Sequence, residues 1–162
     1  MFREMRRKKQ ALSEQDCITV LRRATSGVLA VSGEDGYPYA VPLSYVYRDG
    51  KLYFHCARTG HKLDAIRQNN KVSFCVIDQD RIVPEEYTTY FRSVIVFGTA
   101  HIIEDEAEKR SALEKLAERY SPEQKTGRLE EIDRLFAAVC MVELNIQHMT
   151  GKQAIELTKQ KK

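Results

Sequence analysis

Apolar residues recur along the chain with two spacings, one typical of helices and one typical of strands. Ser13 is a candidate N-cap for a helix over about 14–24, whose apolar residues fall on one helical face. The pattern predicts two short helices, over about 61–69 and 129–136, and six strands, over 27–33, 38–47, 51–57, 71–78, 89–103 and 137–148. A longer helix over 104–120 has a predicted buried stripe of Ala107, Leu113, Leu116 and Ala117.

Turn residues connect two of these strands. The tripeptide Arg48-Asp49-Gly50 separates 38–47 from 51–57, and Asp-Gly accepts the positive φ of a tight turn. We therefore expect 38–47 and 51–57 to form one hairpin. Pro42 lies inside the first strand and has no N–H to donate, which favours an edge strand or a bulge there.

Three further segments are predicted to interrupt or leave the strands. The polar stretch 79–88, with Pro84, is predicted to be a loop, Gly98 a bulge or bend, and 150–152 a turn away from the last strand. The strands have neither a repeating βαβ period nor a GxGxxG motif, which disfavours a doubly wound fold. The prediction is a mainly antiparallel six-stranded β-barrel with helices packed at its ends, an α+β fold.

Length and composition limit the classes of protein. The 162 residues suit one domain over 1–162, with a solvated basic arm over 1–10 and a charged tail over 153–162. A net charge of +3 is too small to indicate nucleic-acid binding. Without a long apolar run or a secretory signal, we expect a cytoplasmic protein that is not in the membrane. The four cysteines form no CxxC and predict reduced, mostly buried thiols; no spacing predicts a metal site.

The segment HCARTGHK, over 55–62, places unusual charge at the predicted start of a helix. Arg58, His61 and Lys62 crowd a position where the helix macrodipole disfavours cations and favours anions. A bound phosphate would compensate, because free helix N–H groups, Gly60 and the cations form an anion cradle. A solvated basic loop is the alternative.

Two other segments have weaker signals. The backbone around Val41, Pro42, Leu43 and Ser44 loses a ladder position at the proline and could hydrogen-bond a planar polar ring, or form an ordinary edge strand. The aromatic segment 87–93 is typical of a ligand-stacking surface, a subunit interface or a core. His101 and His148 lie in or at the ends of strands, where structural roles are commoner than ligand roles.

These segments together resemble a known family. The order VPLSYVYRDGKLYFHCA, then RTGHK opening a helix, then TTYFRSVIVFGTA, is similar to the flavin-binding split barrels of the pyridoxamine 5'-phosphate oxidase superfamily. The pattern is closest to the nitroimidazole-resistance (Nim-type) branch and covers about 10–152. The resemblance implies a split β-barrel with FMN at the interface of a homodimer.

The resemblance also implies positions for the cofactor. Val41, Pro42, Leu43 and Ser44 would face the isoalloxazine edge; His55, Cys56 and Ala57 would follow the ribityl chain; and Arg58, Thr59, His61 and Lys62 would hold the phosphate. Residues near 90–94, including Tyr90 and Ser93, would come from the partner subunit, and Lys152 would lie near the flavin pocket.

The activity implied is that of an FMN-dependent reductase. A nicotinamide donor would reduce FMN, which would reduce a small acceptor such as a nitroaromatic. The chain lacks tryptophan and the oxidase's C-terminal substrate-binding Arg and His pattern, so pyridoxamine phosphate oxidation is not expected. No catalytic residue is identified. Two alternatives remain: a flavin-binding or redox-sensing protein without turnover, and a haem-binding split barrel with His148 or His55 as ligand.

Overall fold

The computed structural model describes residues 1–159, which form one antiparallel sheet with five α-helices. The strands are β1 (Ser26–Ser32), β2 (Pro38–Ser44), β3 (Val46–Arg48), β4 (Lys51–Ala57), β5 (Lys71–Val83), β6 (Thr88–Ile102) and β7 (Val139–Gln153). The helices are α1 (Glu14–Arg23), α2 (His61–Gln68), α3 (Glu106–Tyr120), α4 (Lys125–Phe136) and α5 (Ile155–Thr158).

The order of the strands explains how the sheet becomes a barrel. Neighbouring strands follow the order β2-β1-β5-β6-β7-β4-β3. The two edge strands, β2 and β3, are nevertheless consecutive in the chain and are separated only by Tyr45. The two edges of the sheet are therefore tied together by one residue, and the sheet must curl back on itself. This is the predicted mainly antiparallel barrel.

Two apolar cores lie on the two faces of this sheet. The larger one fills the barrel and includes the fully buried Tyr45, Phe54 and Phe74, with the apolar face of α1 and α2 against it. The smaller core lies between the outer face of β3, β4 and β7 and the helices α3 and α4. Helices thus cover one part of the barrel's outer surface, while β2 remains an edge strand.

Tyr120, the last residue of α3, hydrogen-bonds Tyr45, the residue at which the barrel closes. Its hydroxyl accepts a hydrogen bond from the Tyr45 N–H at 3.0 Å and lies 2.8 Å from the Tyr45 carbonyl oxygen and close to the Thr25 carbonyl oxygen. The Tyr45 hydroxyl donates to the Leu21 carbonyl at 2.8 Å. Both the backbone and the side chain of Tyr45 are therefore fixed.

The expected hairpin is only partly present. The Asp49-Gly50 turn does join β3 to β4, with Val46 opposite Tyr53. β2 pairs instead with β1, at the other edge of the sheet, so the predicted strand 38–47 is wrong as one element. The chain changes edges at Tyr45, which raises the strand number from six to seven. Pro42 lies in an edge strand, as predicted.

The predicted loop over 79–88 is also wrong. β5 continues to Val83 past a register shift between Ile77 and Gln79, and after a short turn β6 returns from Thr88. Polar residues suit this hairpin because most of its side chains are exposed or half-buried. The bulge predicted at Gly98 is confirmed by a register shift beside Phe97. A Cβ at Gly98 would lie 2.2 Å from the Asn145 carbonyl oxygen, which explains the glycine.

Both ends of the chain are more ordered than the sequence suggested. β7 continues through 150–152 instead of turning away, because Ser93 and its neighbours on β6 pair with this segment. Of the tail, Ala154 and Leu157 are buried, while residues 160–162 lie outside the described part. In the arm, Gln10 is buried and the Phe2 ring stacks on His148, with 4.8 Å between centroids.

Helix α3 differs from its prediction in two positions, since Ala117 is only half-buried. Ala107 is exposed, and Ala112 takes its place with Leu113 and Leu116 in the buried stripe. No helix within residues 1–159 is long and apolar enough to span a membrane.

The Tyr120 hydroxyl should contribute measurably to stability. We expect Tyr120→Phe to lower the free energy of unfolding by about 2 kcal/mol, because it leaves the backbone polar groups of Tyr45 without their partner. Urea denaturation measures this change. Tyr37→Phe is the matched control, since Tyr37 is 78% exposed and its loss should have almost no effect. Equal effects of the two substitutions would contradict this role of Tyr120.

Candidate functional site

The start of α2 has the features of an anion site. Gly60 precedes the helix with φ 150° and ψ 169°, a conformation that favours glycine, and no side chain caps the first N–H groups. Within residues 1–159, the Lys62 ammonium group makes no hydrogen bond or ion pair. Arg58 is held beside the site by a 3.1 Å hydrogen bond from Nη1 to the Ala137 carbonyl oxygen. The helix start therefore has cations and uncapped N–H donors, while its first-turn carboxylate, Asp64, lies 3.5 Å from the Arg67 guanidinium.

His61 and Thr59 have different surroundings. The His61 ring stacks on Tyr39 of β2, with 4.1 Å between centroids, near the β1–β2 turn. Thr59 is exposed in the segment before Gly60. His61 therefore links the start of α2 to β2. The sequence did not predict this contact with Tyr39, because the two residues are 22 positions apart.

Strand alternation divides the residues of β4 between two faces. His55 and Ala57 are exposed on the outer face, whereas the Cys56 side chain is buried in the barrel, opposite Cys140 of β7. Burial raises the pKa of the Cys56 thiol above its usual value. A ligand running along this strand would therefore meet the side chains of His55 and Ala57 but only the backbone of Cys56.

The same alternation applies to β2. Val41 and Leu43 are half-buried and pack on the barrel core, while Pro42 and Ser44 are exposed. β2 pairs with a strand on one side only, so part of its backbone is open to other partners. Ser44 at the end of β2 and His55 on β4 line one cavity, so the barrel closure brings the two predicted segments together.

This cavity lies between the barrel and the two long helices and has a volume of about 250 Å³. Glu131 at its rim is paired with Arg134, and this hydrogen bond holds the pKa of the Glu131 carboxyl below its usual value. Sequence reasoning found the buried stripe of α3, but a stripe does not reveal that a space remains beneath it. Ser44 and His55 face Leu113, Leu116, Ile132 and Leu135 across the cavity.

The remaining predicted residues form a separate group on β6 and β7. Ser93 lies directly opposite Lys152, and the Lys152 ammonium lies 5.4 Å from the centroid of the Phe91 ring. Tyr90 donates a 2.6 Å hydrogen bond to Glu86, which raises the pKa of the Tyr90 hydroxyl. Within residues 1–159, no hydrogen bond, ion pair or ring contact joins this group to the start of α2.

A buried carboxylate, Asp78, connects the strands that carry Tyr90, Ser93 and Lys152. Asp78 accepts hydrogen bonds from Arg23 (Nε at 2.6 Å) and from Arg92 at 3.1 Å, and Arg92 also donates to Gln153. Burial acts to raise the pKa of Asp78, but the hydrogen bonds from the two guanidinium groups outweigh it, so the pKa lies below its usual value. This network joins α1, β5, β6 and the end of β7.

Comparison with known proteins gives the class of this fold. The family model described as pyridoxamine 5'-phosphate oxidase matches residues 13–153, and the chain belongs to this family. The fold is accordingly the α+β split barrel of that family, and the family's name places it among oxidoreductases. No curated protein matches the chain.

Solved structures share the fold over most of the chain. A protein assigned to 5-nitroimidazole antibiotic resistance from Bacteroides thetaiotaomicron is 25% identical, with a TM-score of 0.76 over 88% of this chain and 86% of that one. An FAD-binding protein from Mesorhizobium loti is 28% identical, with a TM-score of 0.65 over 90% and 97%. A conserved hypothetical protein from Mycobacterium tuberculosis, 21% identical, has a TM-score of 0.80 over 93% and 90% and shows the fold alone.

The Asp78 network should make stability depend on pH. The depressed pKa means that Asp78 stabilises the fold above the carboxyl pKa of the unfolded chain, about 3.9, and that this contribution disappears as pH falls through the folded-state value. We expect Asp78→Asn to lower the free energy of unfolding at pH 7 by about 2–3 kcal/mol and to flatten its fall below about pH 4.

Urea denaturation between pH 2.5 and pH 7 measures both effects. Asp80→Asn is the control, because Asp80 is exposed on the same strand. If the free energy of unfolding fell with pH in parallel for Asp78→Asn and the unmodified chain, the network would not contribute to the pH dependence of stability.

Proposed function

We propose that this protein binds FMN and, as a flavin-dependent oxidoreductase, passes electrons from a nicotinamide donor to a small acceptor. The observation that carries the proposal is the uncapped start of α2, where within residues 1–159 neither Lys62 nor Arg58 forms an ion pair. The family and the similarity to an FAD-binding protein support a flavin as the cofactor, and the similarity to a nitroimidazole-resistance protein supports a nitroaromatic acceptor.

The residues present fit the phosphate of a flavin mononucleotide. A phosphate dianion at the start of α2 would accept hydrogen bonds from first-turn N–H groups and charge-assisted ones from Lys62. It would also remove the unfavourable contact between the positive helix end and its cations. Charge-assisted hydrogen bonds each contribute about 1.5–3 kcal/mol, so this end of the cofactor would dominate its affinity.

The rest of the cofactor fits the outer surface between the two predicted strands. His55 and Ala57 face outward along β4, in line with Arg58 and Lys62, and suit a polar chain. The exposed positions and open backbone of β2 suit the polar edge of a planar ring. When bound, the isoalloxazine ring would supply the electron-transfer chemistry, while these residues would bind and orient it.

A homodimer would bring Ser93 and Lys152 to the partner's cofactor, with Tyr90 beside them on the opposite face of β6. Ser93, Ile95 and Phe97 alternate onto the outer face of β6, and Ile95 and Phe97 are 40% and 36% exposed. Ile77 on β5 adds a third apolar side chain, 65% exposed. Contiguous exposed apolar side chains are typical of a subunit interface. This face therefore supports an interface in which each copy completes the site of the other.

His148 fits a haem ligand poorly. Its Nε2 atom is buried without a hydrogen-bond partner, and Phe2 stacks on the ring. An axial ligand binds the metal through a ring nitrogen that is open in the plane of the ring, and the burial of Nε2 closes that approach. A haem ligated by His148 therefore has less support than the flavin.

Removing the cations at the start of α2 should weaken flavin binding without unfolding the chain. We expect the double variant His61→Ala/Lys62→Ala to raise the Kd for FMN at least tenfold, because charge-assisted phosphate contacts are lost. Flavin fluorescence quenching measures Kd, with FAD titrated in parallel. Lys125→Ala, at the exposed start of α4, is the matched control. Unchanged FMN affinity in the double variant would remove this site assignment.

Turnover separates an enzyme from a flavin store. With FMN bound, steady oxidation of NADH or NADPH that depends on an added nitroaromatic is the expected result. Flavin binding without acceptor-dependent oxidation would leave a redox-sensing or storage protein instead.

The apolar face of β6 can be tested separately. We expect Ile95→Asp to shift the chain from dimer to monomer and to weaken FMN binding, because a buried unpaired carboxylate is costly in an interface. Sedimentation velocity measures the oligomeric state. Leu129→Asp on α4, at a 54% exposed residue, is the control and should remain dimeric. A dimeric Ile95→Asp variant would place the interface elsewhere.

A further inference from the structure

We infer that a cavity beside the N-terminal arm, residues 1–10, binds the phosphorylated ribose of a nucleotide. The cavity lies between the arm and α5 and is lined by Arg6, Arg7, Lys8, Lys9, Gln10 and Ile155. The proposed flavin site uses none of these residues, and the proposed function leaves their charge without a role. The inference therefore depends on observations that are separate from those at the start of α2.

The end of the arm is anchored to the barrel next to this cavity. Ala11 pairs with Lys152 of β7, and the Leu12 N–H donates a 2.9 Å hydrogen bond to the Gly151 carbonyl oxygen. Gln10 is only 7% exposed. The basic residues that precede Gln10 therefore start from a fixed point of the fold, which gives the cavity a defined wall.

The positive charge of the chain is concentrated in this arm. Its ten residues contain five of the 26 lysines and arginines and one of the 23 acidic residues, Glu4. Glu4 lies 3.0 Å from Lys8, but both side chains are exposed, and solvent screens such a pair. Among the described residues, Arg6, Arg7 and Lys9 form no ion pair. Cations without a counter-ion at one cavity suit a phosphate dianion, which accepts charge-assisted hydrogen bonds.

The buried carboxamide of Gln10 adds a requirement that a bare phosphate does not meet. Its Oε1 atom is buried and, within residues 1–159, has no hydrogen-bond partner. A buried acceptor without a donor is destabilising, and a phosphate dianion has no proton to donate. A ribose hydroxyl is a donor, and a phosphorylated ribose carries hydroxyl groups close to its phosphate. Gln10 and the cations together therefore fit a sugar phosphate better than an inorganic anion.

Ile155 supplies an apolar surface for the base of a nucleotide. Its side chain is 38% exposed and lines the cavity. The neighbouring arginines can stack their planar guanidinium groups on an aromatic base. The cavity has a volume of about 620 Å³, and small-molecule sites typically have about 300–1,000 Å³. The space is therefore sufficient for a nucleoside monophosphate.

Calorimetric titration of the full-length protein with 2′-AMP, 5′-AMP, adenosine and inorganic pyrophosphate tests the inference. We expect one saturable site for at least one of the two monophosphates. Adenosine, which lacks the phosphate, and pyrophosphate, which lacks the ribose, should bind at least tenfold more weakly. The tighter monophosphate identifies the source, because NADPH carries a 2′-phosphate and ordinary nucleotides carry a 5′-phosphate.

Two results of these titrations would overturn the inference. If neither monophosphate bound saturably, the cavity would not be a nucleotide site. If pyrophosphate or adenosine bound as tightly as the monophosphates, the arm would be a general anion surface or the phosphate would have no role.

Substitutions in the arm locate the binding. Arg6→Ala/Arg7→Ala should weaken monophosphate binding at least tenfold. The control Arg3→Ala/Lys125→Ala also removes two exposed cations, but neither lines the cavity, so the affinity should change less than twofold. Equal effects of these two double variants would overturn the inference.

The role of Gln10 has its own variant. Gln10→Met keeps a side chain of similar length without the carboxamide, and it should weaken monophosphate binding at least fivefold while leaving pyrophosphate affinity unchanged. Unchanged monophosphate affinity would remove the ribose from the inference. If Gln10→Met lowers the melting temperature, the exposed Arg6→Ala/Arg7→Ala variant decides the outcome.

The start of α2 is proposed to bind a different phosphate, so the two sites must be separated. The His61→Ala/Lys62→Ala variant should bind the monophosphates as tightly as the unmodified chain does. Loss of monophosphate binding in that variant would assign it to α2 and overturn the inference. If the protein bound no FMN, the proposed function would fail, and the titrations with the arm variants would still decide this inference.

Discussion

The closure of the barrel at Tyr45 is the constraint on which the rest of the structure depends. Because β2 and β3 are opposite edges of one sheet and only one residue separates them, the sheet can close only if that residue is held in place. Tyr45 is fully buried, its ring meets Phe74 edge-on, and its polar groups bond to α1 and α3. The closure also places the end of β2 beside β4, so one contact organises both the core and the candidate site.

The candidate site lies at a helix start whose side chains have the opposite charge to the one that a helix start favours. A helix start favours anions, yet α2 begins among Arg58, His61 and Lys62 with a glycine where a capping side chain usually stands. By comparison, α1 and α3 begin in the ordinary way, with the Ser13 and Asp105 side chains accepting from first-turn N–H groups. Helix α4 also begins without a side-chain cap and with a lysine, Lys125. What distinguishes α2 is the positive φ of Gly60 together with the cluster of Arg58, His61 and Lys62.

Sequence predicted the parts of the fold that depend on neighbours in the chain. The Asp49-Gly50 turn, the start of α2 and the bulge at Gly98 all follow from local backbone requirements. The break at Tyr45 does not, because residues on both sides of it have strand-like character and only the closed barrel assigns them to different edges. The cavity under α3 and α4 was equally hidden: the spacing of Leu113 and Leu116 predicts burial but not how completely the opposite wall fills the space.

Strand alternation explains how this barrel could acquire chemistry without losing stability. On β4, Cys56 belongs to the core while His55 and Ala57 face outward, and on β2 Val41 and Leu43 face the core while Pro42 and Ser44 face outward. Outer positions can therefore change with the ligand while the inner ones maintain the core. The cavity lies where this outer surface meets the second core, so its lining combines outward residues of β2 and β4 with residues of α3 and α4.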